Sequence, residues 1–164
     1  MKVLYIVRHA KSSWDDPLLD DFSRPLNERG KRDAPRMGKR LKEKGLVPDL
    51  MLTSPARRAL ATCKRIAEVI GYVEDKIKTE RDLYHAGSEQ ILNVMKTVKD
   101  KHNIVVIFGH NPGLTDFVNA LGKQTFDNVP TCGVAAYDLA IESWKDIEFG
   151  IGKLRFFDYP KNGK

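Results

Sequence analysis

Three short runs of the chain, at 3–7, 49–53 and 104–109, are apolar, rich in β-branched residues and bounded by turn-forming or charged residues. Such runs read as strands buried on both faces, which requires helices above and below the sheet. The intervening segments have the period to supply them. In the first, Ala34, Met37, Gly38 and Leu41 share a face, with Gly45 as a stop. The second has Ser54 as N-cap, Pro55 at the first helical position, and the stripe Ala59, Cys63, Ile66, Ala67, Ile70 before Gly71. The third begins near Ser88 and carries Ile91, Leu92, Met95 and Val98. The fourth opens at Asn111-Pro112 and carries Leu114, Phe117, Val118 and Leu121. This alternation predicts an α/β layered domain with a largely parallel sheet. Residues 133–140 and 147–158 read as two further strands joined by the polar stretch 142–146, an antiparallel pair at the C-terminal end. Pro35 falls inside the first helical stripe, where its missing N–H and its ring predict a kink or a split helix.

At 164 residues, a single domain spanning 1–160 is expected, with 161–164 as a frayed tail. The chain is 41% hydrophobic and 30% charged, and its longest apolar run is far too short to cross a bilayer, which argues against a membrane span and against disorder throughout. Met1 to Val7 lacks both a secretory core and a cleavage site, so a cytoplasmic protein is expected. With two cysteines, Cys63 and Cys132, neither a disulfide scaffold nor a four-cysteine zinc site is available. The net charge of +6 favours an anionic partner. The basic residues between Lys31 and Lys44 read as the wet face of a helix, and no aromatic stacking platform accompanies them, so nucleic acid is not expected as a partner.

In sheets of this kind, ligands bind beyond the carboxyl ends of the strands. Three polar constellations fall at such ends: Arg8-His9-Ala10-Lys11-Ser12-Ser13-Trp14, the stretch from Thr53 to Thr62, and Gly109-His110-Asn111-Pro112-Gly113-Leu114. Two imidazoles and at least two guanidiniums beside helix starts suit a tetrahedral dianion, because arginine donates in a fork and the free N–H groups of a helix start point at the ligand. These three segments carry no carboxylate. Arg57, about 100° around a helix from Arg58, is expected at the surface.

These residues resemble the histidine phosphatase superfamily, which includes the cofactor-dependent phosphoglycerate mutases. Arg8-His9-Ala10 stands where the family has Arg-His-Gly. Ser54, Arg58, Ala59 and Thr62 match its second signature, His110 its second histidine, and Arg24-Pro25-Leu26 its lead into the first helix. The short length and Gly-His-Asn-Pro-Gly-Leu most resemble the SixA-type phosphohistidine phosphatases. The resemblance implies a three-layer, mutase-like α/β sandwich with a mostly parallel sheet. It also implies His9 as the nucleophile, Arg8, Arg58 and His110 on the phosphate oxygens, and no metal or other cofactor. Ser12 and Asn111 are further expected phosphate contacts.

Three positions depart from the family. Ala10 replaces glycine and would be strained if a positive φ were needed. Lys11 and Asp15 stand where the mutases carry Glu and Asn; Lys11 would strengthen an anion pocket, and Asp15 is expected to turn outward or pair with a base. The mutases' general acid, a Glu after the third strand, is replaced by His85, which is either the acid or an idle loop histidine; Glu80 and Asp82 are weaker candidates. Tyr84 and Trp14 are candidates for the entrance or for packing, and His102 is expected in solvent. The expected partner is a phosphorylated protein or a small phosphate ester. The competing readings are a broad phosphomonoesterase, a mutase, or a phosphoprotein-binding module without turnover; oligomeric state is not readable.

Overall fold

The central sheet has six strands in the order β3-β2-β4-β1-β5-β6, where β1 is Lys2–Arg8, β2 Leu50–Thr53, β3 Lys78–Thr79, β4 Ile104–Gly109, β5 Val134–Leu139 and β6 Lys153–Asp158. The structure is a computed structural model and describes residues 1–162. Strands β3, β2, β4 and β1 run parallel, β5 is antiparallel to β1, and β6 is antiparallel to β5. The mostly parallel sheet with a C-terminal antiparallel pair is therefore as the sequence predicts. The last strand starts at Lys153 rather than 147, because Gly150 N and Gly152 N donate to Ala120 O (2.9 Å) and Leu121 O (2.8 Å) instead of to a neighbouring strand. β3 carries no apolar run, and both its residues are exposed.

The two faces of the sheet follow the alternation of side chains along each strand. Tyr5, Val7, Met51, Val106 and Phe108 pack with Ala34, Met37, Leu41, Cys63 and Ile66 of helices α1 (Glu28–Glu43) and α2 (Arg57–Ile70). Leu4, Ile6, Leu52, Val105 and Ile107 face the other way, onto Ile91, Met95, Leu114 and Phe117 of helices α3 (Ser88–Lys96) and α4 (Gly113–Gly122). Among the described residues, no helix is long and apolar enough to cross a membrane.

Three local expectations are corrected. Helix α1 runs unbroken through Pro35, so of the expected kink or split the split does not occur, and the buried Ala34, Met37, Gly38 and Leu41 hold both halves against the core. Ser54 is not the N-cap of α2: its N–H donates to Phe108 O (3.0 Å), so it stays in the sheet and the helix starts at Arg57. Helix α4 starts at Gly113, with Pro112 at the cap position. Of the expected tail, Lys161 and Asn162 form a turn in which Asn162 Nδ2 donates to Asp158 Oδ1 (3.1 Å), while 163–164 lie outside the described residues.

Candidate active site

The register of the sheet brings the two histidines together. Arg8 pairs with Gly109 across β1 and β4, so His9 and His110 leave neighbouring parallel strands at the same level. Adjacent strands lie about 4.8 Å apart, and the two imidazole centroids are 5.1 Å apart. β2, on the far side of β4, delivers Ser54 and, through the start of α2, Arg58. His9, His110 and Arg58 are all buried.

His9 is oriented by its own backbone. Its Nδ1 lies 2.7 Å from Ala10 O, which can only accept, so Nδ1 carries the proton and Nε2 keeps its lone pair. Arg58 Nε points at that lone pair from 3.4 Å. Burial, outweighing the Ala10 bond, and then the charges of Arg58, Arg8 and Arg24 push His9 down to about 3, so the ring is neutral near pH 7. Burial, His9 and Arg58 likewise push His110 down to about 3. His110 Nε2 meets Ser54 Oγ at 2.8 Å, which gives the serine of the second signature its place. The threonine of that signature is a bridge: Thr62 Oγ1 accepts from Ala10 N (2.9 Å) and donates to Arg58 O (2.8 Å). Ala10 itself is buried and is not among the positive-φ residues, so it fits without the strain a left-handed turn would impose.

Arg8 Nη1 donates to Val129 O (3.0 Å), while Arg8 Nε and His110 Nδ1 are buried with no partner among the described residues. Such atoms cost about 1–3 kcal/mol each when left unpaired, and an oxyanion in reach of both would satisfy them. Among the described residues, no three His, Cys, Asp or Glu side chains gather as a set of metal ligands.

The two further expected phosphate contacts both have partners within the chain. Ser12 Oγ accepts from Arg24 Nη2. Asn111 Oδ1 accepts from Thr115 N (3.0 Å) and Thr115 Oγ1 (2.7 Å), and its Nδ2 donates to Asn128 Oδ1 and Val129 O, so the side chain pins the start of α4. Lys11 and Asp15 are exposed, as is Arg57, whose Nη1 reaches only Ser23 O at 3.4 Å. Glu80 accepts from Asp82 N and closes its own turn. His102, rather than lying free in solvent, is half-buried at the other end of the sheet.

Asp21 is the residue that sequence reasoning missed. It opens a 3₁₀ turn (Asp21–Ser23) and takes both Nη groups of Arg58, Nη1 on its carbonyl (2.6 Å) and Nη2 on Oδ2 (2.9 Å). Tyr84 Oη donates to the same Oδ2 (2.7 Å), and Arg24 Nη1 to Oδ1 (3.1 Å). Burial pushes the Asp21 carboxyl up, but the Tyr84 and Arg58 hydrogen bonds, the Arg58 charge and the Arg24 hydrogen bond outweigh it and hold the group well below the usual carboxylate range. His85 Nε2 stands 4.0 Å from Asp21 Oδ2, and its ring lies on that of Tyr84, with centroids 3.9 Å apart. Tyr84 also meets His110 edge-on at 5.4 Å. Trp14 is exposed but covers the Arg24 guanidinium at 3.3 Å. The one available signal was position: Asp21 lies three residues before the Arg24-Pro25-Leu26 signature.

A groove of about 220 Å³ runs from His110 between His85–Gly87 and Pro112–Asp116. Gly113 makes this junction possible, since a Cβ there would stand 1.7 Å from Ala86 O.

The model of the histidine phosphatase superfamily (branch 1) matches residues 4–90, which hold His9, Arg58 and the Arg24 segment. The chain belongs to the histidine phosphatase superfamily. Over almost its full length the histidine phosphatase fold seen here resembles SixA of Agrobacterium tumefaciens, with a TM-score of 0.83, 26% identity and coverage of 97% of this chain and 98% of that one. An uncharacterized chloroplastic protein of Arabidopsis thaliana is 29% identical over 151 residues, 87% of this chain and 69% of that protein. A 2,3-bisphosphoglycerate-dependent phosphoglycerate mutase of Chelativorans sp. (strain BNC1) is 37% identical over 86 residues, 48% of this chain and 42% of that protein. The similarity to the mutase therefore covers about half of this histidine phosphatase chain.

Proposed function

We propose that the chain removes the phosphoryl group from phosphohistidine in a phosphoprotein, through a covalent phosphohistidine intermediate on His9. The observation that carries this reading is the Ala10 carbonyl fixing the proton on His9 Nδ1, which leaves Nε2 as a neutral nucleophile facing Arg58. Arg8, Arg58 and His110 are the proposed phosphate contacts. Phosphoryl transfer needs mainly alignment and neutralisation of oxygen charge, which these groups supply without metal. The name phosphohistidine phosphatase SixA, carried by the structural relative, points to the same substrate. A second reading, small phosphate esters, is favoured by Asp21: an alkyl oxygen leaves poorly without an acid, and a carboxyl stands beside the cations.

The test is turnover of a phosphohistidine-bearing protein and of a panel of small phosphate esters, with acid and base quenches of the protein itself. The expected result is faster release from the phosphoprotein and an adduct stable in base but labile in acid. His9→Ala abolishes that adduct and lowers kcat/KM by about 10⁴-fold or more. Activity retained by His9→Ala removes the covalent mechanism. Binding without adduct or turnover identifies a phosphoprotein-binding module.

A further inference from the structure

The geometry points to Asp21 as the group that passes a proton to the leaving atom, a role that rests on the hydrolase reading above. Asp21 is one guanidinium away from the nucleophile: Arg58 touches His9 Nε2 through Nε and Asp21 through both Nη groups. The other groups facing the carboxyl are Arg24, Tyr84 and His85, with Asp20 preceding it in the chain. In the free site these donors keep the carboxyl ionised. A phosphoryl dianion competes for the Arg58 and Arg24 hydrogens and brings like charge against the carboxylate, so binding raises the proton affinity of Asp21. The acid is thus formed by the substrate it serves.

Other candidates are worse placed. Tyr84, pushed up to about 12 by burial and by Asp21, stays a hydrogen-bond donor and holds Oδ2 in position. Glu80 is engaged in its own turn. The His85 side chain is 68% exposed and stands 4.0 Å from Asp21 Oδ2.

In the first transfer, the bond from His9 Nε2 to phosphorus forms while the bond from phosphorus to the leaving nitrogen or oxygen breaks, and the Asp21 proton moves to that leaving atom. In the second, water attacks phosphorus, its proton moves to the Asp21 carboxylate, the bond from phosphorus to His9 breaks, and inorganic phosphate departs. The proton taken up on binding returns to solvent on release.

The experiment measures kcat/KM over a series of phosphoramidates and phosphate esters of graded leaving-group basicity, for the unaltered chain, Asp21→Asn, Asp21→Glu and His85→Gln, with tungstate binding as a check that the site is intact. Asp21→Asn is expected to bind tungstate, to lose about 10²–10³-fold on the most basic leaving groups, and to lose less than about 10-fold on the least basic. Asp21→Glu restores part of the loss, and His85→Gln changes the slope little. An equal loss across the series assigns Asp21 to the positioning of Arg58 and overturns the proposal, as does an unchanged series. A steepened series in His85→Gln alone makes His85 the acid and overturns it too. No turnover by the unaltered chain overturns the hydrolase reading instead.

Discussion

Strands β1 and β4 each have two ends, and the two ends are built on opposite principles. At the amino ends, polar groups are paired: Lys2 Nζ donates to Asp100 O (2.6 Å) and Asn103 Oδ1 (2.9 Å), and Asp49 Oδ2 accepts from Asn103 N and Ile104 N. The buried Trp144 completes that end, with its indole N–H on His102 O (2.7 Å). At the carboxyl ends, two arginines and two imidazoles crowd together, and Arg8 Nε and His110 Nδ1 are buried without partners among the described residues. One end has its polar groups paired within the chain, and the other leaves donors free. The same two strands carry both, so the pairing that fixes one end also fixes the level at which His9 and His110 emerge at the other.

The largest expected separation of the two ends comes from Arg58→Ala. Loss of this donor should lower kcat/KM by about 10²–10³-fold, while thermal unfolding shows little loss, since the substitution also removes a buried charge. A large fall in Tm with it would erase the contrast. At the other end, Trp144→Phe leaves His102 O without its indole donor and should cost about 1–3 kcal/mol in urea unfolding, with turnover per folded molecule unchanged. A loss of activity there would mean the ends are coupled.

A third expected effect is in pH. Both site imidazoles are held at about 3, below the value near 6.5 that an unfolded histidine has. The folded chain therefore binds fewer protons than the unfolded one. Stability is fullest above about pH 6.5 and falls from there toward about pH 3, by up to about 1.4 kcal/mol per pH unit for each ring. Asp21, shifted down from an ordinary carboxylate, adds a loss of the same sign only at lower pH. His110→Asn should flatten the slope between pH 6 and 4 in denaturant titrations, and an unchanged slope would show that the rings are not the source.

The layers were legible because buried strands and amphipathic helices leave periods that a short window captures. β3 was not, since two exposed residues, Lys78 and Thr79, join the sheet only through pairing with β2. Ser54-Pro55 reads as a cap, yet its serine serves β4 and His110, a competition visible only once the sheet closes. His9, Arg58 and His110 stood out through strand ends and signatures. Asp21 did not, because its meaning comes from partners 37 and 63 residues away in a loop without periodicity. Asn111 has the right chemistry for phosphate, but Thr115, Asn128 and Val129 claim its hydrogen bonds, whereas Ser12 Oγ accepts from Arg24.

The Thr62 hydroxyl, wedged between Ala10 N and Arg58 O, joins the segment after β1 that bears His9 to the first turn of α2. One hydroxyl thus ties the backbone that carries the His9 ring to the backbone that carries the Arg58 guanidinium, and its loss in Thr62→Val would release both at once.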